Sequence, residues 1–316
     1  ALSFSIDDSS LAVADQSRIR EDVPTVFPPP PTYASGKYTG NGDDGRLITG
    51  VGFQPDVVII KADAAQTPVI RTSSMAGDSA KPLLKVALAP NLIQTLETDG
   101  FTLGTDAKVN SDGVTYYWSA FMANSGEIKV GTYVVNGSAQ PIDGIGFAPE
   151  AVIVMAAEDH EMNIRTSAMP AALAMQLDDE DGKTNRITSL TADGFTVGKS
   201  GQANGNGLIY HYIAWNAVAG KMSVVFYEGD GSDNRNITGA GVEPKYIIVK
   251  AFGDISAVHH PDAIGTGTDE SLSFMAQAAF ANGIQNLGPD GFEVGSDVTV
   301  NAAATSYYWL AFRPRP

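Results

Sequence analysis

The chain has 316 residues, with 36 Asp plus Glu against 20 Lys plus Arg, a formal net charge of −16 and no cysteine. Long-range electrostatics therefore oppose nucleic-acid or anionic-membrane binding, and disulfides, thiolate nucleophiles and zinc–thiolate sites are excluded. An apolar fraction of 43% with 13 Phe, 11 Tyr and 3 Trp supplies a real core, while no apolar run reaches the length of a membrane span.

Residues 1–35 read as an N-terminal arm. They are polar and end near Pro28-Pro29-Pro30-Pro31, a run that favours polyproline II and offers no amide donors to a β-ladder. The chain opens Ala1-Leu2-Ser3-Phe4, with neither an initiator Met nor a signal-peptide pattern. Initiator removal and proteolytic processing would both leave that start.

From residue 36 one pattern is written three times, giving units 36–127, 128–222 and 223–316. Pro55, Pro149 and Pro244 lie 94 and 95 residues apart, and Phe101, Phe195 and Phe292 lie 94 and 97 apart. The period is too long for a short solenoid unit and suits three copies of a small β-unit. In unit one, Arg46–Thr49 and Val57–Ile60 flank the glycine turn Gly50-Val51-Gly52-Phe53 and Pro55, and Thr115–Phe121 closes the unit. β-branched runs bounded by Gly and Pro predict strands. Apolar groups on both faces predict that Thr115–Phe121 is buried. Unit two repeats this with Lys129–Val135, Ala151–Met155 and Leu208–Ala214. Unit three repeats it with Met222–Phe226, Tyr246–Val249 and Ser306–Phe312.

The middles of the units vary. Arg71-Thr72-Ser73-Ser74-Met75 matches Arg165-Thr166-Ser167-Ala168-Met169, and unit three inserts His259-His260-Pro261 instead. Short helices are expected at Ala80–Ala89 and Ala171–Leu177, and Ser271–Phe280 reads as a strand or a short helix. Only turn-length junctions, Asn124-Ser125-Gly126 and Val218-Ala219-Gly220, separate the units. The expected fold is all-β: three sandwich- or prism-like repeats in one body, with a pseudo-threefold relation.

Chemistry is sparse in this pattern. No Gly-x-Ser-x-Gly elbow is present, and no catalytic or cofactor-binding residue is assigned. His211 lies in a tyrosine-rich strand and reads as structural; His160 reads as an exposed loop residue. His259 and His260, near Asp254 and Asp262, carry ligand chemistry for a transition metal but read as a solvated loop. Calcium favours several oxygen ligands, so the acidic turns are the better cation candidates: Asp43-Asp44, Asp230–Asp233 and Asp178–Asp181. None has EF-hand spacing. The competing reading is hydrogen-bonded hairpin turns whose charge Arg46 or Arg235 offsets. The metal question stays open, with structural calcium at the acidic turns as the stronger candidate. The aromatics Tyr116, Tyr117, Trp118, Phe121, Tyr212, Trp215, Tyr307, Tyr308, Trp309 and Phe312 read as core, with any exposed member suited to stacking on a sugar ring.

Four motifs carry a resemblance: Tyr38–Gly42, Gly50–Lys61, Asp99–Gly104 and Tyr116–Phe121. Together they resemble the β-rich repeat modules of tailed-phage virion proteins and their prophage relatives. Unit two departs at Met155 and Glu150, and unit three at Val242 and Lys245. The resemblance implies a non-enzymatic structural protein of the virion, decorating the particle or forming part of its tail or fibre. It implies other virion subunits as partners, homo-oligomerisation and host-surface or glycan binding, without nucleic acid, membrane insertion or a cofactor. The alternative is an extracellular bacterial adhesin or surface-filament subunit.

Overall fold

The computed structural model describes residues 32–313. The expected arm, with Pro28–Pro31, lies outside the described residues. Each unit folds in the same order. Unit one contains β1 (Tyr33–Thr39), β2 (Arg46–Thr49), β3 (Val57–Ala62), β4 (Val69–Thr72), β5 (Lys81–Pro82), β6 (Ile93–Glu97), β7 (Gly100–Leu103), α1 (Ala107–Asn110) and β8 (Thr115–Phe121). Unit two contains β9 (Ile128–Val134), β10 (Gln140–Asp143), β11 (Ala151–Ala156), β12 (Asn163–Thr166), β13 (Met175–Gln176), β14 (Ile187–Thr191), β15 (Gly194–Val197), α2 (Gly201–Asn204) and β16 (Ile209–Trp215). Unit three contains β17 (Met222–Glu228), β18 (Arg235–Thr238), β19 (Tyr246–Ala251), β20 (Val258–Pro261), β21 (Leu272–Ser273), β22 (Ile284–Gly288), β23 (Gly291–Val294), α3 (Val298–Asn301) and β24 (Ser306–Phe312).

Every unit pairs a five-stranded antiparallel sheet with a three-stranded one. In unit one the orders are β1-β8-β3-β4-β5 and β2-β7-β6, and units two and three repeat both. The three-stranded sheets share even their irregularity, a register shift at Ile93/Thr95, Ile187/Ser189 and Ile284/Asn286. The repeat of the sequence is therefore a repeat of topology.

Strand alternation divides the core in two. Val58, Ile60 and Ala62 of β3 face the three-stranded sheet and join Phe53, Phe101 and Trp118 in a local core. Val57 and Ile59 face the other way, into a core shared by all three units. Both faces of β3 and β8 are thus covered, which is why apolar side chains occur on both faces of each. Phe53, Phe147 and Val242 occupy the corresponding place in the three local cores. At the centre Phe121, Trp215 and Phe312 meet, with ring centroids 6.2, 5.2 and 5.8 Å apart. Each closes the last strand of its unit, so one triangle of rings joins all three repeats.

Several expectations need correction. β1 begins at Tyr33, so the first three of its residues fall in the segment assigned to the arm. Ala80–Ala89 and Ala171–Leu177 are not helices; they contain β5 and β13, followed by bends. Ser271–Phe280 opens with β21 and closes on itself through a Ser271–Phe280 bridge. Alanine content favours a helix locally, but these segments contribute an outer strand and a flap against the next unit. Among the described residues the α-helices are instead the four-residue turns α1, α2 and α3. Each is capped by a side chain, Asp106, Ser200 or Asp297.

Candidate functional site

The repeated Gly-x-Gly and Asp-Gly-Phe motifs are two halves of one structure. Gly50 and Gly52 adopt φ of 86° and 84°, which turns two amides toward one point and favours glycine. Asp99 fills that point: its Oδ1 accepts from Gly52 N at 2.6 Å and its Oδ2 from Gly50 N at 3.2 Å. Asp193 binds Gly144 and Gly146 in the same way, and Asp290 binds Gly239 and Gly241. The following glycine is fixed by close approach. A Cβ on Gly100, Gly194 or Gly291 would lie 1.9, 2.0 or 1.9 Å from the carbonyl oxygen of Ile48, Ile142 or Ile237. Asp193→Ala is expected to lower unfolding free energy by about 1–3 kcal/mol, because two amides lose a charged acceptor. Urea denaturation at matched salt checks this.

The acidic turns are organised by a buried asparagine that the motif reading missed. Asn110 Nδ2 donates to the Asp43 carbonyl at 2.8 Å, and its Oδ1 accepts from Asn41 N at 3.0 Å and Arg46 Nη1 at 3.2 Å. Asn301 repeats this with Ser232 O at 2.6 Å, Asp230 N at 3.0 Å and Arg235 Nη1 at 3.0 Å. Asn204 does so with Ser138 O at 2.7 Å and Gly137 N at 3.2 Å. Arg235 also pairs with Asp230 at 3.3 Å. Both arginines lie over a tyrosine ring, Arg46 5.1 Å from the Tyr38 centroid and Arg235 5.6 Å from that of Tyr227. Asp43 receives Asn41 Nδ2, and Asp44 receives Gln94 Nε2. In the third acidic run, Asp178 accepts from Glu180 N and Asp181 from Gly182 N. Burial, then the Glu161 and Glu180 charges, pushes the Asp178 carboxyl up. Among the described residues, no group of three or more His, Asp or Glu side chains could hold a metal ion.

The histidines also find structural partners. His259 and His260 are not in a solvated loop; both lie in β20 and are buried, at 2% and 1% exposure. Register puts them at the places of Ile70 and Arg71 in β4. They point to opposite faces. His259 Nδ1 contacts Tyr246 Oη at 3.1 Å, and His260 Nδ1 contacts Glu270 O at 2.8 Å. Pro261 misleads the sequence reading, but it is tolerated because β21 pairs only with Val258 and His259. His211 Nδ1 meets Ser74 Oγ of unit one at 2.8 Å. His160 is half-buried in the loop after β11.

Three buried lysines sit at the three contacts between units. Lys61 Nζ donates to Ala64 O at 2.8 Å within unit one and to Gln277 O at 2.6 Å in unit three. Lys250 Nζ donates to Asp178 O of unit two at 3.0 Å and to Ile255 O. The equivalent position in unit two is Met155, and no ammonium leaves from there. At that contact the charge comes from the other side. Lys81 Nζ, on β5 of unit one, donates to Glu158 O at 2.8 Å and to Val86 O. Glu158 follows Met155 as Ala64 follows Lys61, and Val86 follows Lys81 as Gln277 follows Leu272. The same two carbonyl positions therefore hold an ammonium at both contacts, reached from opposite units. Lys81 is matched by Met175 and Leu272 in register, so each contact contains one lysine and one apolar side chain.

These burials fix the response to pH. Burial holds His211, His259 and His260 down at about 4, about 3 and about 4, below the free value of 6.5. Below about 6.5 the unfolded chain binds more protons than the folded one, so stability is lost as pH falls through that value toward 4. Burial likewise lowers Lys61, Lys81 and Lys250 to about 8, against 10.5 when free. Their contribution to stability therefore rises from pH 8 toward 10.5. Buried Tyr38, Tyr133, Tyr227 and Tyr246 are shifted up from 10.0, mainly by desolvation, and withdraw stability above pH 10. Thermal melts across pH are expected to show a maximum between about 8 and 10, with the acid limb reduced in His259→Phe.

The aromatics assigned to core positions are buried, including Tyr117 at 7% and Tyr308 at 6% exposure. None of these offers a free ring face for a sugar. Comparison of the chain with family models, curated proteins and solved structures finds no match.

Proposed function

We propose that the chain is a non-enzymatic structural protein of a tailed-phage particle, on its surface or in its tail or fibre, acting through assembly and surface recognition. The observation that supports this reading is the use of the repeated residues. Asp99, Asp193 and Asp290 fasten turns, Asn110, Asn204 and Asn301 fasten hairpins, and the repeated aromatics fill cores. What is repeated three times is scaffold, in the motif pattern that resembles virion repeat modules. Homo-oligomerisation and contact with other virion subunits belong to the same proposal, with the arm as the assembly element.

The test is location. Mass spectrometry of purified particles and antibody labelling in electron micrographs should find the chain at a fixed stoichiometry. Detection only in the envelope of uninfected bacteria would replace this reading with the adhesin one. Removing residues 1–31 is expected to leave the repeats folded and to weaken incorporation. The cut must stop there, because Tyr33 packs 5.1 Å from Phe121 and 5.7 Å from Tyr246. Unchanged incorporation of the shortened chain would remove the arm from the proposal.

A further inference from the structure

Unit one carries an open groove of about 550 Å³ at the mouth between its two sheets. Its apolar wall is Pro55, Met75, Leu96 and Met122. Its polar groups are Arg71, Asp56, Ser73, Gln54 and Thr95. The same place in unit three is only about 80 Å³, lined by the equivalent residues Glu243, Lys245, His260 and Leu287. There a 3₁₀ turn, Asp262–Ile264, occupies the chain after β20. Ser35 of unit one ties that turn down by donating to Asp262 and accepting from Ala263 N at 3.2 Å. One copy of the groove is thus open and another nearly filled.

We infer that the open groove of unit one is a binding site for a neutral saccharide. Its volume falls in the range of small-ligand sites. Arg71 is 6% exposed. Its terminal nitrogens are engaged by backbone carbonyls, including Gly77 O at 2.7 Å and Ile93 O at 3.2 Å. Its Nε is buried as well, so Arg71 shapes the wall and offers no donor to the groove. Asp56 accepts one bond on each oxygen, from Ser73 Oγ at 2.7 Å and Ala123 N at 2.8 Å, and each oxygen keeps a lone pair. Asp56 is the one charged lining residue that presents free acceptors to the space, which disfavours an anionic ligand. Donors, acceptors and hydroxyls beside an aliphatic wall match a sugar, whose hydroxyls both donate and accept while its C–H face is apolar. No aromatic ring lines the groove, so affinity is in the millimolar class.

This inference deepens the surface-recognition part of the proposed function and is tested separately from it, on the isolated full chain. Methionine-methyl NMR reports the groove directly. Titration with D-glucose, D-galactose, D-mannose, N-acetyl-D-glucosamine and L-rhamnose should give saturable shifts at Met75 and Met122 for at least one sugar. Met155 and Met175, buried in the shared core, should stay silent. Gln54→Ala, which removes an exposed polar group from the rim, should weaken that binding at least about threefold without lowering the melting temperature. No saturable shift with any of the sugars would overturn the inference, as would equal binding by Gln54→Ala or shifts produced by sodium sulfate alone. Each result stands whether or not the chain is found in a particle.

Discussion

Trp215→Ala is expected to destabilise all three units together, by about 3–5 kcal/mol. Trp215 is 1% exposed, and its ring meets both Phe121 and Phe312 at the centre. Truncation leaves a cavity at the one place where every unit contributes a ring, and the surrounding sheets cannot collapse into it without moving one another. Urea denaturation followed by tryptophan fluorescence and by far-UV circular dichroism should give coincident, shifted transitions. Trp118→Ala should cost a similar amount, but it lies in the local core of unit one. Hydrogen exchange in Trp118→Ala should therefore rise first in unit one. If Trp215→Ala loosened only unit two, the central core would not couple the repeats.

Exchanging the charge across the first contact is the second large effect. Lys81→Met removes the ammonium that satisfies Glu158 O and Val86 O. Two buried carbonyls at about 1–3 kcal/mol each put the loss at about 2–6 kcal/mol. Met155→Lys alone brings a second cation into a contact that already holds one, and is expected to cost about 3–5 kcal/mol. Combined, the substitutions recreate the arrangement of Lys61 with Leu272, and the double variant should lie within about 1 kcal/mol of the starting protein. A double-mutant cycle then yields a coupling larger than either neighbouring-site effect usually gives. Additive losses would show that the two positions do not share one carbonyl site.

Much of the fold was legible because burial on both faces leaves a mark in sequence. Val57–Ile60 is a continuous apolar run and Thr115–Phe121 carries apolar groups on both faces, and the prolines at 55, 149 and 244 each stand two residues before a strand. The Asp-Gly-Phe and Gly-x-Gly motifs were legible as repeats but not as partners, since nothing in their spacing says that a carboxylate seats on two amides. The two-residue strands β5, β13 and β21 are too short to show a period, so the alanine around them suggested helix. Lys81 was illegible for the same reason. Its significance depends on register in a short strand and on a neighbouring unit. His259 and His260 were misplaced because a His-His-Pro run resembles a loop, whereas Val258 and the pairing with β19 set a strand. The groove could not be read at all. Its lining residues are brought together from β4, the β2–β3 turn, β6 and the end of β8.

The arrangement of the lysines also says which repeat could stand alone as a ring. In a ring of three identical copies, every contact would place one copy's β3-type position against its neighbour's β5-type position. Copies of unit one would bring Lys61 against Lys81, two cations for one carbonyl site. Copies of unit two would bring Met155 against Met175 and leave those carbonyls dry and unpaired. Only unit three, with Lys250 and Leu272, carries one of each. The first two repeats are therefore interdependent by charge, while the third alone carries a self-complementary pair.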